Sequence, residues 1–73
     1  MRDMTIINEM LETLGEAPEE EIPASILPKF AELVGKDPEV ILKGLKAITT
    51  EYAGAIAPFT KFAISMVIEH LEE

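Results

Sequence analysis

The feature that most constrains this sequence is the apolar segment 52–68, YAGAIAPFTKFAISMVI, which carries one charged side chain, Lys61. The whole chain has only 73 residues and a formal net charge of −8. A domain of this size buries roughly 60% of the surface of its unfolded chain. It contains no cysteine and one histidine, so the disulfides or structural metal that often stabilise small domains are not expected. The apolar segment must therefore be covered by the rest of the chain or by a partner.

A membrane-spanning helix is a poor interpretation of this segment. Such a helix needs about 20 predominantly apolar residues, whereas 52–68 is shorter and has Pro58 and Lys61 near its middle. The N-terminal sequence MRDMTIINEMLE has acidic and polar residues where a signal peptide has a basic segment and an uninterrupted apolar run. We expect no membrane span and a cytoplasmic location.

Apolar residues recur at helical spacing and predict an all-α fold. The four predicted helices lie at about 4–14, 26–34, 38–52 and 58–71. Their starts carry residues that favour helix N-termini, which are Asp3, Ser25 and Asp37 as N-caps and Pro38 and Pro58 at first helical positions. Two glycines, Gly15 and Gly35, are predicted to follow the first and second helices, and Gly15 is predicted to take the left-handed conformation there.

Residues 16–21, EAPEEE, combine a proline with four glutamates and have no apolar period, which predicts an exposed acidic linker. The short connections predict a single domain, residues 1–73, folded as a small up-down four-helix bundle with the fourth helix in a central position. An arrangement of HEAT-like helical hairpins is the alternative.

The charge balance bears on the class of partner. Fourteen acidic residues against six basic ones would repel a phosphate backbone, and no cluster of lysine and arginine offsets this locally. We therefore expect no nucleic-acid partner. The same field would attract a basic protein surface, and the linker residues that would steer such a partner are Glu16, Glu19, Glu20 and Glu21.

The sequence offers little for catalysis or for cofactor binding. The glutamates of the linker lack the alternating spacing and the glycine of a calcium loop. A lone histidine near a helix C-terminus, His70, is more often structural than catalytic. We expect no enzyme activity, no metal and no cofactor.

Ser25, followed by Ile26 and Leu27 at a helix start, resembles the Asp-Ser-Leu motif on which acyl carrier proteins carry phosphopantetheine. The resemblance covers these three residues and the small, acidic, four-helical character of the chain, and Ala24 stands where that motif has aspartate. It implies a carrier or a module for a small hydrophobic ligand. Helix capping is the preferred interpretation of Ser25.

The leading hypothesis is a non-catalytic accessory or regulatory subunit that docks on a larger intracellular protein complex. A self-associating bundle is the alternative, and a carrier is third. The residues predicted to form the partner interface are apolar side chains of helix four and one of helix one: Phe59, Phe62, Ile64, Ile68 and Met10. Among these, Ile64 and Ile68 are predicted to point away from the core.

Overall fold

The structure, a computed structural model, describes residues 3–73. These residues form four helices: α1 at Met4–Gly15, α2 at Leu27–Leu33, α3 at Pro38–Glu51 and α4 at Pro58–Glu72. The all-α prediction is confirmed, and each predicted helix end lies within one residue of the observed one. Proline and acidic residues at helix starts account for this agreement, because they mark boundaries locally.

The four helices close into a ring around one core. α1 packs against α2 and α4, and α3 packs against α2 and α4. The radius of gyration, 11.1 Å, matches the value of about 11.2 Å expected for a compact chain of this length. The arrangement is a small four-helix bundle. The prediction that α4 is central is wrong, because in a ring α4 has two neighbours, as does every other helix of the described chain.

Buried apolar residues recur every three or four positions along the helices. The buried positions of the three longer helices are Ile7, Leu11 and Leu14 in α1, Ile41, Leu45 and Ile48 in α3, and Ile64, Val67 and Leu71 in α4. The short α2 contributes Phe30 and Leu33. Two isoleucines outside the helices, Ile22 and Ile26, are also fully buried in the connection between α1 and α2.

The helix starts agree with the sequence at two of three predicted caps. The Asp3 side chain accepts hydrogen bonds from the backbone N–H groups of Thr5 (3.0 Å) and Ile6 (3.4 Å). Asp37 occupies the N-cap position of α3 with an extended backbone. The prediction for Ser25 is wrong, because the N-cap of α2 is Ile26, whose N–H donates to the carbonyl of Pro23 at 2.9 Å.

The two glycines predicted to follow helices behave differently. Gly35 has a φ of +81° just after α2, and its N–H donates to the side-chain oxygen of Asn8 at 3.0 Å. This bond ties the end of α2 to α1. Gly15 instead lies inside α1, which continues to a C-cap at Glu16. The prediction for Gly15 is wrong because the Glu16 N–H bonds back to α1 without a left-handed residue.

We expect Gly35→Ala to lower the free energy of unfolding by about 1–2 kcal/mol, since a β-carbon disfavours the left-handed conformation. Within residues 3–73, no atom outside Gly35 and its two chain neighbours lies within 4 Å of the position of that β-carbon, so backbone strain alone causes the loss. Urea denaturation measures it. The matched control is Gly54→Ala, at a turn with equal space and no positive φ. It should be neutral or more stable by up to about 1 kcal/mol. Equal effects of the two variants would contradict this account.

Candidate functional site

A continuous groove runs along the surface between α1 and α4. It has two halves that share Thr13, Leu14 and Ala63, and each half has a volume of about 370 Å³. Ile6 and Met66 line one half, while Ala17, beyond the end of α1, and Phe59, near the start of α4, line the other. The two helices are therefore antiparallel, and the groove follows both of them.

Two small side chains line the groove where its two halves meet. Ala63 of α4 and Thr13 of α1 lie where its two halves meet, and both line each half. A bulky residue at either position would fill the space between the helices. The third residue shared by the two halves, Leu14, is 8% exposed and belongs to the core, so the groove borders the core at this point.

Large apolar side chains of α4 are exposed to solvent beside the groove. Phe59 is 78% exposed and Phe62 is 66% exposed, and Met66 follows four residues later. Residues at three- and four-residue spacing lie on one face of a helix. Since an aromatic side chain can bury roughly 150–250 Å², the two phenylalanines together expose on the order of 220–360 Å². Ile6 adds exposed apolar surface on the α1 side.

The charged residues that line the groove are all acidic within the described chain: Glu9, Glu16 and Glu21. Glu19 and Glu20 are exposed on the same linker. On α4, Glu69 is exposed as well. The site therefore combines an apolar centre with an acidic rim.

The acidic linker is hydrogen-bonded to the start of α4 through one of its residues, Glu21. Thr60, the one buried polar side chain among residues 3–73, is 3% exposed, and its hydroxyl donates to the Glu21 carboxylate at 3.3 Å. The Ala57 N–H donates to the Glu21 carbonyl at 2.9 Å. The linker prediction described Glu21 as exposed, whereas the structure places it partly buried against the start of α4.

Two of the five predicted interface residues, Met10 and Phe59, line the groove. Phe62 lines neither half, but it is exposed one turn after Phe59 on α4. Ile64 lies elsewhere. It is 0% exposed and belongs to the core. Its prediction is wrong because it lies three residues before Val67 and seven before Leu71, on the buried stripe of α4.

Ile68 lies away from the groove. It is partly buried and packs against the core. Four residues later on the same side of α4, the Glu72 carboxylate lies 3.4 Å from the Lys46 ammonium of α3. This side of α4 therefore faces α3. Thr13, Ala63 and Glu9 also line the groove and were not among the predicted site residues. Small residues on two neighbouring helices are the sequence signal that points to them.

The remaining candidate residues lie apart from this site or form no cluster. His70 is exposed, with its Nδ1 3.9 Å from the Glu73 carboxylate. Within residues 3–73, the histidine and carboxylate side chains form no group that could hold a metal ion. No described helix is both long and apolar enough to cross a membrane.

Comparison with protein-family models, with curated proteins and with solved structures finds no match. The groove is therefore interpreted from its own geometry and charge.

The burial difference within α4 has a direct consequence for stability. Ile64→Ala should lower the free energy of unfolding by about 2–4 kcal/mol, because it leaves a cavity in the core. Phe62→Ala should change it by less than about 0.5 kcal/mol, since most of that side chain is already in water. Chemical denaturation of the two variants measures both. A larger loss from Phe62→Ala than from Ile64→Ala would show that α4 is rotated about its axis.

The bond between linker and α4 is tested by Thr60→Val, which keeps the shape of the side chain and removes its donor. We expect a loss of about 1 kcal/mol in the free energy of unfolding, typical of one intramolecular hydrogen bond. Thr50→Val is the matched control, because Thr50 is exposed on α3. It should change stability by less than about 0.5 kcal/mol. If both variants behave alike, the Glu21 contact does not stabilise the fold.

Proposed function

We propose that this chain is a non-catalytic accessory or regulatory subunit that docks on a larger intracellular protein complex through the groove between α1 and α4. A cytoplasmic location is part of this proposal. The observation that carries it is the exposure of Phe59 and Phe62 beside the groove. On small proteins, contiguous exposed apolar surface commonly marks an interaction site.

The shape of the groove supports docking over a carrier function. It is a surface channel bordered by two helices and by the acidic linker. An acyl chain is better held by an enclosed apolar cavity, which shields most of its surface from water. Ser25, the residue on which the carrier hypothesis depends, is exposed in the turn before α2 and does not line the groove.

Self-association is the second candidate, because another copy would also cover the phenylalanines. A two-fold dimer would bring together acidic rims from two chains that each carry a net charge of −8. Each pair of like charges about 10 Å apart in water costs roughly 0.4 kcal/mol before screening. This repulsion places a different partner first.

The proposal predicts that the chain elutes from native cell extract in a complex much larger than its own 8.0 kDa. Phe59→Ser combined with Phe62→Ser should return it to the free monomer, because the apolar anchors are lost while the core is retained. Size-exclusion chromatography of tagged chains measures the shift. Val40→Ser is the control, since Val40 is 47% exposed on α3, outside the groove, and this variant should remain in the complex.

A groove-filling variant tests the same site without removing an anchor. Ala63→Leu should displace the chain from the complex while its circular dichroism spectrum and thermal midpoint stay close to those of the wild type. Elution of the wild-type chain as a free monomer in extract would overturn the proposal. A species of twice the chain mass that the phenylalanine variant dissociates would instead establish self-association.

A further inference from the structure

We infer that the occupant of the groove is a basic amphipathic α-helix of about three turns, supplied by the partner protein. This inference rests on the proposed docking function and names the chemistry of the docked segment.

The dimensions of the groove fit a helix of that length. Along α1 and its C-cap, from Ile6 to Glu16, the groove spans 10 residue steps, which correspond to about 15 Å, or nearly three helical turns. On α4, the exposed residues Phe59, Phe62 and Met66 are spaced by three and four positions. An amphipathic helix presents apolar side chains at the same spacing, so successive turns of the occupant would meet successive apolar groups of α4.

The charges at the groove favour an occupant with positive charge. Among residues 3–73, its charged lining residues, Glu9, Glu16 and Glu21, are all acidic, and the exposed Glu19 and Glu20 extend the negative field at the linker end. Lysine and arginine residues that flank the apolar stripe of a helix would lie against these carboxylates. A second copy of this chain would bring carboxylates instead, and its exposed apolar residues are flanked by the same acidic rim.

The linker gives this rim a defined position. Because the Glu21 backbone and side chain are both bonded to the start of α4, the acidic segment is held beside Phe59. Cationic side chains at one end of the occupant would therefore meet the linker when its apolar stripe meets the phenylalanines. Complementary charge raises the rate of encounter and the specificity, and the apolar contacts hold the complex.

The test is a selection from a displayed library of 15-residue peptides, randomised without bias in charge, against the full chain. We expect the enriched peptides to carry net positive charge and apolar residues at i, i+3 or i+4, and i+7, and to become helical when bound. A synthetic peptide of the enriched sequence should bind at least tenfold more weakly to the chain with Phe59→Ser and Phe62→Ser. This variant keeps the net charge of −8, so it controls for non-specific attraction between the peptide and an acidic protein.

A second pair of variants isolates the charge. Glu9→Gln with Glu16→Gln should weaken binding of that peptide severalfold, and the loss should shrink at high ionic strength. Glu32→Gln with Glu51→Gln removes the same charge from exposed positions on α2 and α3. It should have a clearly smaller effect. Equal losses from the two pairs would show that overall charge, and not the rim, attracts the peptide, and would overturn the inference.

Enrichment of neutral or acidic peptides, enrichment of extended peptides, or no enrichment would also overturn the inference. The proposed docking function is judged separately by elution in native extract. If the extract shows a large complex that depends on Phe59 and Phe62 while the library yields no basic helix, docking stands and the occupant has a different chemistry. If the chain elutes there as a free monomer, docking itself fails.

Discussion

The packing of α4 against two neighbours is the constraint on which the rest of this structure depends. α4 is apolar around most of its circumference, and among the helices of residues 3–73 it packs against α1 and α3 alone. Those contacts bury the stripe that contains Ile64 and Val67. The opposite face, with Phe59 and Phe62, is left in water. The exposed aromatic surface is thus a consequence of the number of helices in a chain this short.

The connection between α1 and α2 compensates for part of this incomplete cover. Ile22 and Ile26 are fully buried although they lie outside the helices. Between them and α1, Glu21 bonds to Ala57 and Thr60 at the start of α4. The segment therefore acts as a packed element that covers the end of α4 and also carries the acidic side chains. Fold and electrostatics are coupled here, because the residues that close the bundle also fix the position of the rim.

The helices and their boundaries were predictable, because their determinants are local. The spacing of Ile41, Leu45 and Ile48 defines one face of α3 without reference to any other helix. The orientation of α4 was not predictable in the same way, because apolar side chains lie on nearly all sides of that helix. Whether Ile64 or Phe62 is buried depends on which flank meets α1, and this is decided by tertiary packing. The prediction that Ser25 is an N-cap is wrong for a similar reason, because the turn that buries Ile26 determines where α2 begins.

The sizes of the free-energy terms indicate how much apolar and charged groups would each contribute to binding at the groove. At about 25 cal/mol per Å², burial of the exposed area of the two phenylalanines would contribute roughly 5–9 kcal/mol. Loss of translational and rotational freedom costs about 4–15 kcal/mol for any association. The apolar contacts alone therefore yield weak and reversible binding. Each pair of opposite charges at the rim would add only a few tenths of a kcal/mol in water. A partner with negative charges at the same places would be repelled by a similar energy for each pair. With so small a margin, the proposed docking would depend on the sign of the rim for the choice of helix and on the phenylalanines for the lifetime of the complex.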